Sequence, residues 1–188
     1  MAQDCALDKM TSGTECGSKG GMRTAYWTTY DQIDWATMAA DNTKWDSTNR
    51  LILEYVMQTG GSFKQLEFNK KSAFYDFDFT DETSVWTQLL TFFFFGQDNA
   101  LKNSIDKATG CCNIIFHIFT TDGKQRMVGA EWNGTSFEIQ TEPLIVTRVK
   151  DSSGQRGSSK PRYEVDLGGE SDCAPLYATV VEGDIPLL

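Results

Sequence analysis

The chain has 188 residues, 17 Lys and Arg against 26 Asp and Glu, and a net charge of −9. That length suits one domain, or one domain with long excursions, able to bury roughly 70% of its unfolded surface; a composition 40% hydrophobic and 12% aromatic excludes a disordered chain. An acidic chain does not hold DNA through its phosphates, which takes a clustered excess of Lys and Arg, and a single histidine, His117, excludes HExxH and every metal centre or relay that needs two.

In chain order, the first ten residues carry acids and no apolar h-region, so no secretory signal is expected and a cytosolic origin is. Residues 1–21, rich in Gly, Ser and Thr, read as an N-terminal arm. Residues 22–188 are expected to form a single β domain. Arg23–Tyr30 mixes Thr with aromatics and predicts a strand. Residues 31–61 carry Trp35 and Trp45 without clear periodicity, then a strand at Leu51–Met57 and a turn at Gly60-Gly61. They read as a long excursion from a sheet with its own hairpin.

The middle of the chain is plainly β. In Phe63–Phe68, Lys64, Leu66 and Phe68 share one face. In Ser72–Phe79, Ala73, Tyr75, Phe77 and Phe79 share a face opposite Asp76 and Asp78, the alternation of a half-buried strand. Val85–Phe95 is long enough to cross a sheet. A helix is predicted over 98–109, capped by Asp98, with Leu101, Ile105 and Ala108 along one side and Gly110 at its end.

Cys111–Thr120 is a strongly apolar strand, and Asp122-Gly123 and Asn133-Gly134 are hairpin turns either side of a returning strand, Gln125–Trp132. Ser136–Thr141 and Leu144–Lys150 continue the meander. Asp151–Pro161 is a Ser/Gly loop. Arg162–Leu167 is a strand that Gly168-Gly169 is expected to break, and Ala174–Leu188 is a strand plus tail. The sum is mostly β: an antiparallel β-sandwich or barrel with one flanking α-helix.

Chemistry is sparse. Asp76 and Asp78 could in principle do acid–base work from one strand face, but a solvated face is the simpler reading. His117 has no nucleophile elbow near it and reads as a hydrogen-bonded strand histidine. No glycine-rich phosphate loop follows a strand. The longest apolar run, Phe92–Phe95, is far short of the ~20 residues that span a bilayer, so no membrane partner is expected. Five cysteines, Cys5, Cys16, Cys111, Cys112 and Cys173, without a CxxC predict free thiols and no metal site. No cofactor is expected. The Phe tetrad should bury both faces of its strand, one against the predicted helix or a neighbouring subunit. Tyr26, Trp27, Trp35 and Trp45 exceed what a solvated loop carries. Trp27, Trp35, Trp45, Phe92 and Phe94 are therefore candidate intersubunit contacts.

The order of features resembles the major tail tube proteins of long-tailed (siphovirus-like) bacteriophages, especially those of Bacteroidetes-type hosts. The likeness rests on Gly20-Gly21-Met22-Arg23-Thr24-Ala25-Tyr26, on Leu66–Phe74 around Phe68-Asn69-Lys70, and on Val85-Trp86-Thr87-Gln88-Leu89. It continues in Ile114–Gly129 with its Asp-Gly-Lys hairpin, and in Ser153-Gly154, Tyr163 and Ala174-Pro175. The long 31–61 stretch and the Phe tetrad depart from the pattern.

The resemblance implies a non-enzymatic virion structural protein. It implies hexameric rings stacked into a tail tube, with loops and arms bridging rings and other tail proteins, such as tape measure and terminator, as partners. DNA would pass through the bore without specific binding, and assembly would occur in the host bacterial cytoplasm. Asp76 and Asp78 are then lumen-facing candidates, since negative walls repel phosphates. The arm 1–21 and the excursion 31–61 are expected to be ordered mainly by neighbouring subunits. Alternatives are another virion protein (tail terminator, head–tail connector or capsid-associated protein), a carbohydrate-binding β-sandwich using Trp27, Trp35 or Trp45 as sugar platforms, and a hydrolase built on Asp76, Asp78 and His117.

Overall fold

Among the described residues the chain forms thirteen strands: β1 Met22–Thr29, β2 Trp45–Asp46, β3 Leu51–Ile52, β4 Lys64–Leu66, β5 Ala73–Thr80, β6 Val85–Phe95, β7 Ile114–Thr120, β8 Gln125–Val128, β9 Ala130–Trp132, β10 Phe137–Ile139, β11 Glu142–Ser152, β12 Arg162–Ser171 and β13 Leu176–Ala178. The structure, a computed structural model, describes residues 21–66, 68, 73–80, 84–95, 102, 105, 106, 108–110, 113–152 and 161–187. Cys5, Cys16, Cys111 and Cys112 lie outside them, as do nearly all of the expected arm, the turn 69–71 and most of the Ser/Gly loop. Cys173 is buried.

The fold is mostly β, an open sandwich and not a closed barrel. One sheet has seven strands in the order β2-β3-β13-β8-β7-β1-β4, and the other has four in the order β11-β12-β6-β5. Pairing is antiparallel except between β13 and β3. Strand β7 sits near the centre of the larger sheet and every one of its residues is buried. That is the reason for its unbroken apolar run, because a strand covered on both faces has no solvent side to alternate with.

The two faces of β7 feed two cores. Ile114, Phe116 and Ile118 point toward the four-stranded sheet, with Met22, Ala25 and Val128. They meet Leu90, Phe92, Leu144, Val165 and Leu167 from that sheet. Phe92 stacks on Phe116 across the sandwich, with ring centroids 5.5 Å apart. Ile115 and Phe119 point the other way, onto Ile33, Trp35, Met38, Trp45, Ile52, Tyr55 and Phe63. The small β9–β10 hairpin adds Trp132 and Phe137 to this second core. Each large apolar side chain buried in these layers contributes roughly 1.5–3 kcal/mol.

The excursion 31–61 is therefore part of the chain's own fold, adding β2 and β3 to the border of the large sheet and packing its helix and loops on that sheet's outer face, and not a strap waiting for a neighbour. It contains a short helix, α1 (Trp35–Ala40), that periodicity did not reveal. Asp34 caps α1 through its side chain, which accepts from the Thr37 amide at 3.1 Å. Trp35 and Met38, three residues apart, place the buried side of α1 on the sheet. Its hydrogen bonds run back to the chain's own backbone: Asp34 N donates to Val56 O at 2.7 Å and Gln58 N to Gln32 O at 2.9 Å.

Of the helix expected over 98–109, the described residues Lys102, Ile105, Asp106, Ala108 and Thr109 are helical, and the rest of the span lies outside the described residues. Ile105 packs into the inter-sheet core, as its place in the apolar stripe predicted. Two strand expectations are corrected. Gln125–Trp132 is two strands, because Gly129 adopts φ +107° and turns the chain out of the large sheet into the hairpin. Gly168-Gly169 does not break β12. A Cβ on Gly169 would lie 2.1 Å from Gln140 Nε2 and 2.8 Å from Glu142 O, so the glycine keeps the strand pressed against β11.

Candidate functional site

The four-stranded sheet buries one face and leaves the other open. In β5, Ala73, Tyr75 and Phe77 line the core side. Phe74, Asp76 and Asp78 alternate onto the open side. Register carries that face across the sheet: Asp76 pairs with Leu89 and Asp78 with Thr87 of β6, and Leu89 with Gly168 and Thr87 with Glu170 of β12. Beyond β12, Ile145 and Glu142 of β11 complete the two rows. The face thus mixes carboxylates with exposed apolar side chains, Phe74, Leu89 and Ile145.

Both borders of this sheet are long, and among the described residues no further strand pairs with either. The order ends at β5 on one side and β11 on the other. They span 8 and 11 residues. Such edges present free N–H and C=O groups to any strand that approaches. Four antiparallel strands also make the two borders run in opposite directions. A second copy added head to tail therefore continues an antiparallel sheet, β11 against β5, without reversal.

Electrostatics on the open face are local. Arg148 reaches Glu164 at 3.1 Å and Asp166 at 3.0 Å. Asp166 also accepts from Thr91 Oγ1 at 2.8 Å, which satisfies a nearly buried carboxylate. Arg162 lies over the Phe93 ring at 4.5 Å. This guanidinium, together with an edge-on contact from Phe74, covers Phe93 of the tetrad, which faces outward. The expectation that a helix or a subunit must cover it is thereby amended.

The residues singled out from sequence fall into separate places. Asp76 and Asp78 are exposed on the open face. Trp35, Trp45 and Phe92 are not contacts for a neighbour, because the chain's own cores hold them, Trp45 at 1% exposure and Phe92 at 0%. Trp45 lies 4.8 Å from Phe137 and 5.3 Å from Trp132, ring to ring. Trp27 and Phe94 are half-buried against the inter-sheet core, Trp27 beneath the Lys64 ammonium at 5.9 Å. The sugar-platform reading therefore loses Trp35 and Trp45.

His117 is fully buried on β7, with Nδ1 2.8 Å from the Tyr55 hydroxyl. Burial holds its pKa down at about 4, opposed in part by Gln125. It faces the excursion on the large sheet, while Asp76 and Asp78 face solvent on the other, so the three are not brought together. Sequence reasoning missed the row Glu142, Glu170 and Asp78, because a bulged register between Glu142 and Ile145 decides which β11 residues share the face. Comparisons with protein-family models, curated proteins and solved structures returned no match.

Proposed function

We propose that the chain is a virion structural protein, a tail tube subunit whose copies join edge to edge into hexameric rings that stack around a conduit for DNA ejection. The observation that carries this reading is the four-stranded sheet: one face buried, one face open and carboxylate-bearing, and two long borders that no other described strand pairs with. A sheet of that kind, closed on itself through six copies, leaves no edges and turns its open face inward. Asp76 and Asp78, with Glu142 and Glu170, then give the bore a negative wall that DNA slides past without sticking. The role is non-catalytic, the partners are further copies, a terminator and a tape measure, and the location is the virion tail.

Sedimentation velocity of the purified chain across a concentration series tests assembly. A discrete six-copy species that gives way to longer particles supports the reading, and a monomer that persists at high concentration removes it. Asp76→Lys with Asp78→Lys tests the bore. Tails that assemble with this variant should eject DNA more slowly, and normal ejection from fully assembled variant tails would remove the lumen role.

A further inference from the structure

His117 is buried where the large sheet meets the excursion, and the tail tube reading gives it no task. It stands opposite Tyr26 of β1 and Met127 of β8, wholly out of water. Tyr55 covers it. The Tyr55 hydroxyl lies 2.8 Å from Nδ1, and the Tyr55 ring meets the imidazole edge-on at 5.5 Å and the Phe63 ring at 4.7 Å.

The two sides of this contact are held differently. His117 sits in β7, between the β1 and β8 ladders. Residues 53–56 belong to no strand. Their backbone bonds run within the excursion. Leu53 N and Glu54 N donate to Lys44 O at 2.8 and 3.2 Å, Val56 O accepts from Asp34 N at 2.7 Å, and Met57 bridges Ile33. Lifting 53–57 therefore brings water to His117 while β7 stays in its sheet, and local openings of this kind cost less than unfolding the chain.

Only the neutral ring suits the closed state. A neutral imidazole shares one hydrogen bond with Tyr55 in either tautomer, whereas a charged ring donates from both nitrogens. Nε2 is buried with no hydrogen-bond partner. Gln125 of β8 favours the charged ring, but burial outweighs it. The charged groups on the surrounding elements are engaged elsewhere. Glu182 of the tail accepts from Arg23 at 2.8 Å and from the Tyr26 hydroxyl at 3.2 Å. Glu54 pairs with Lys44, Asp34 caps α1, and Arg126 of β8 lies over Phe77 on the other side of the sheet. Among the described residues no carboxylate offsets a charge on this ring.

We propose that residues 53–57 form an acid-released latch: a proton on His117 lifts them, with Tyr55, off the large sheet while the sandwich beneath stays folded. The open form hydrates the imidazolium and uncovers the Phe63 ring. The latch belongs to the single chain and does not depend on the ring reading. Once open, the imidazole titrates at its ordinary 6.5, against about 4 when closed. The opening equilibrium therefore rises about tenfold for each pH unit below 6.5 and levels off near 4.

Native-state hydrogen exchange on the full chain tests this, run between about pH 7 and pH 4.5 with each amide corrected for its intrinsic rate. The amides of Asp34 and Glu54 should be protected at least about tenfold less than those of Phe116 and Ile118 in β7. Low denaturant should leave that protection unchanged, as for an opening that exposes little surface. It should fall about tenfold per pH unit below 6.5, and His117→Gln should remove the fall. Protection equal to that of β7 and equally eroded by denaturant would mean that the chain opens only as a whole, which overturns the latch. Protection indifferent to pH overturns it too, as does a pH slope that survives in His117→Gln. If that variant fails to fold, Tyr55→Phe replaces it. Loss of the hydroxyl strands Nδ1, so Asp34 and Glu54 should lose about tenfold in protection at neutral pH, and unchanged protection there counts against the latch.

Discussion

His117 shows how one residue links the sheet to the layer above it. It is wholly buried, its Nδ1 meets Tyr55 of the excursion, and burial sets its pKa at about 4 against an ordinary 6.5. The unfolded chain therefore takes up this proton at a higher pH than the folded one. The neutral imidazole's contribution is complete above about pH 6.5 and is lost as the pH falls toward 4, roughly 3 kcal/mol over the window. His117→Gln should flatten the slope of stability between those pH values, measured by denaturant unfolding; a variant with the wild-type slope would place the acid sensitivity elsewhere. Gly129 is the second position where one residue decides the path. Its φ is +107°, and an added Cβ would lie 2.2 Å from Ile114 O. Gly129→Ala should cost more than about 1 kcal/mol in the same measurement, from strain and overlap together.

Elements divide by how locally they are specified. Strand β6 spans Val85–Phe95 as the sequence predicts, ending with its aromatic run, and the faces of β5 follow from strict alternation over Ala73–Asp78. The excursion was not legible in the same way. Trp35 and Met38 sit on a helix of six residues, too short to show a period, and Trp45 and Ile52 lie on strands of two residues each. Their burial comes from the core they share with Ile115, Phe119, Trp132 and Phe137, distant in sequence, which no local pattern announces. The candidate surface was half legible: Asp76 and Asp78 came from alternation, while Glu142 and Glu170 needed the bulged register of β11. Because the excursion packs on its own chain, hydrogen exchange should find the amides of Asp34, Gln58 and Leu53, the last donating to Lys44 O at 2.8 Å, protected in the dispersed monomer. Fast exchange there, slowed only on assembly, would return the excursion to its neighbours. Trp45→Ala should lower stability by about 3–5 kcal/mol, as emptying an aromatic core site does, and do so in the monomer.

At the scale of the whole molecule, the two sheets and the excursion leave one broad surface unused. The large sheet is covered on both faces, whereas the small sheet keeps an open face and, among the described residues, two borders without a strand partner. The net charge of −9 suits the proposed conduit, since Asp76, Asp78, Glu142 and Glu170 on the open face would repel a polyanion. On the proposed reading these borders join copies, and the even strand count favours a closed ring over a symmetric pair only if the joining is β5 to β11. Electron cryo-microscopy of the purified chain at high concentration tests this most directly. The account predicts closed rings in which β5 of one copy lies antiparallel to β11 of the next, with Asp76 and Asp78 facing the bore. Rings joined through any other surface, or a field of single particles of one chain each, would contradict it.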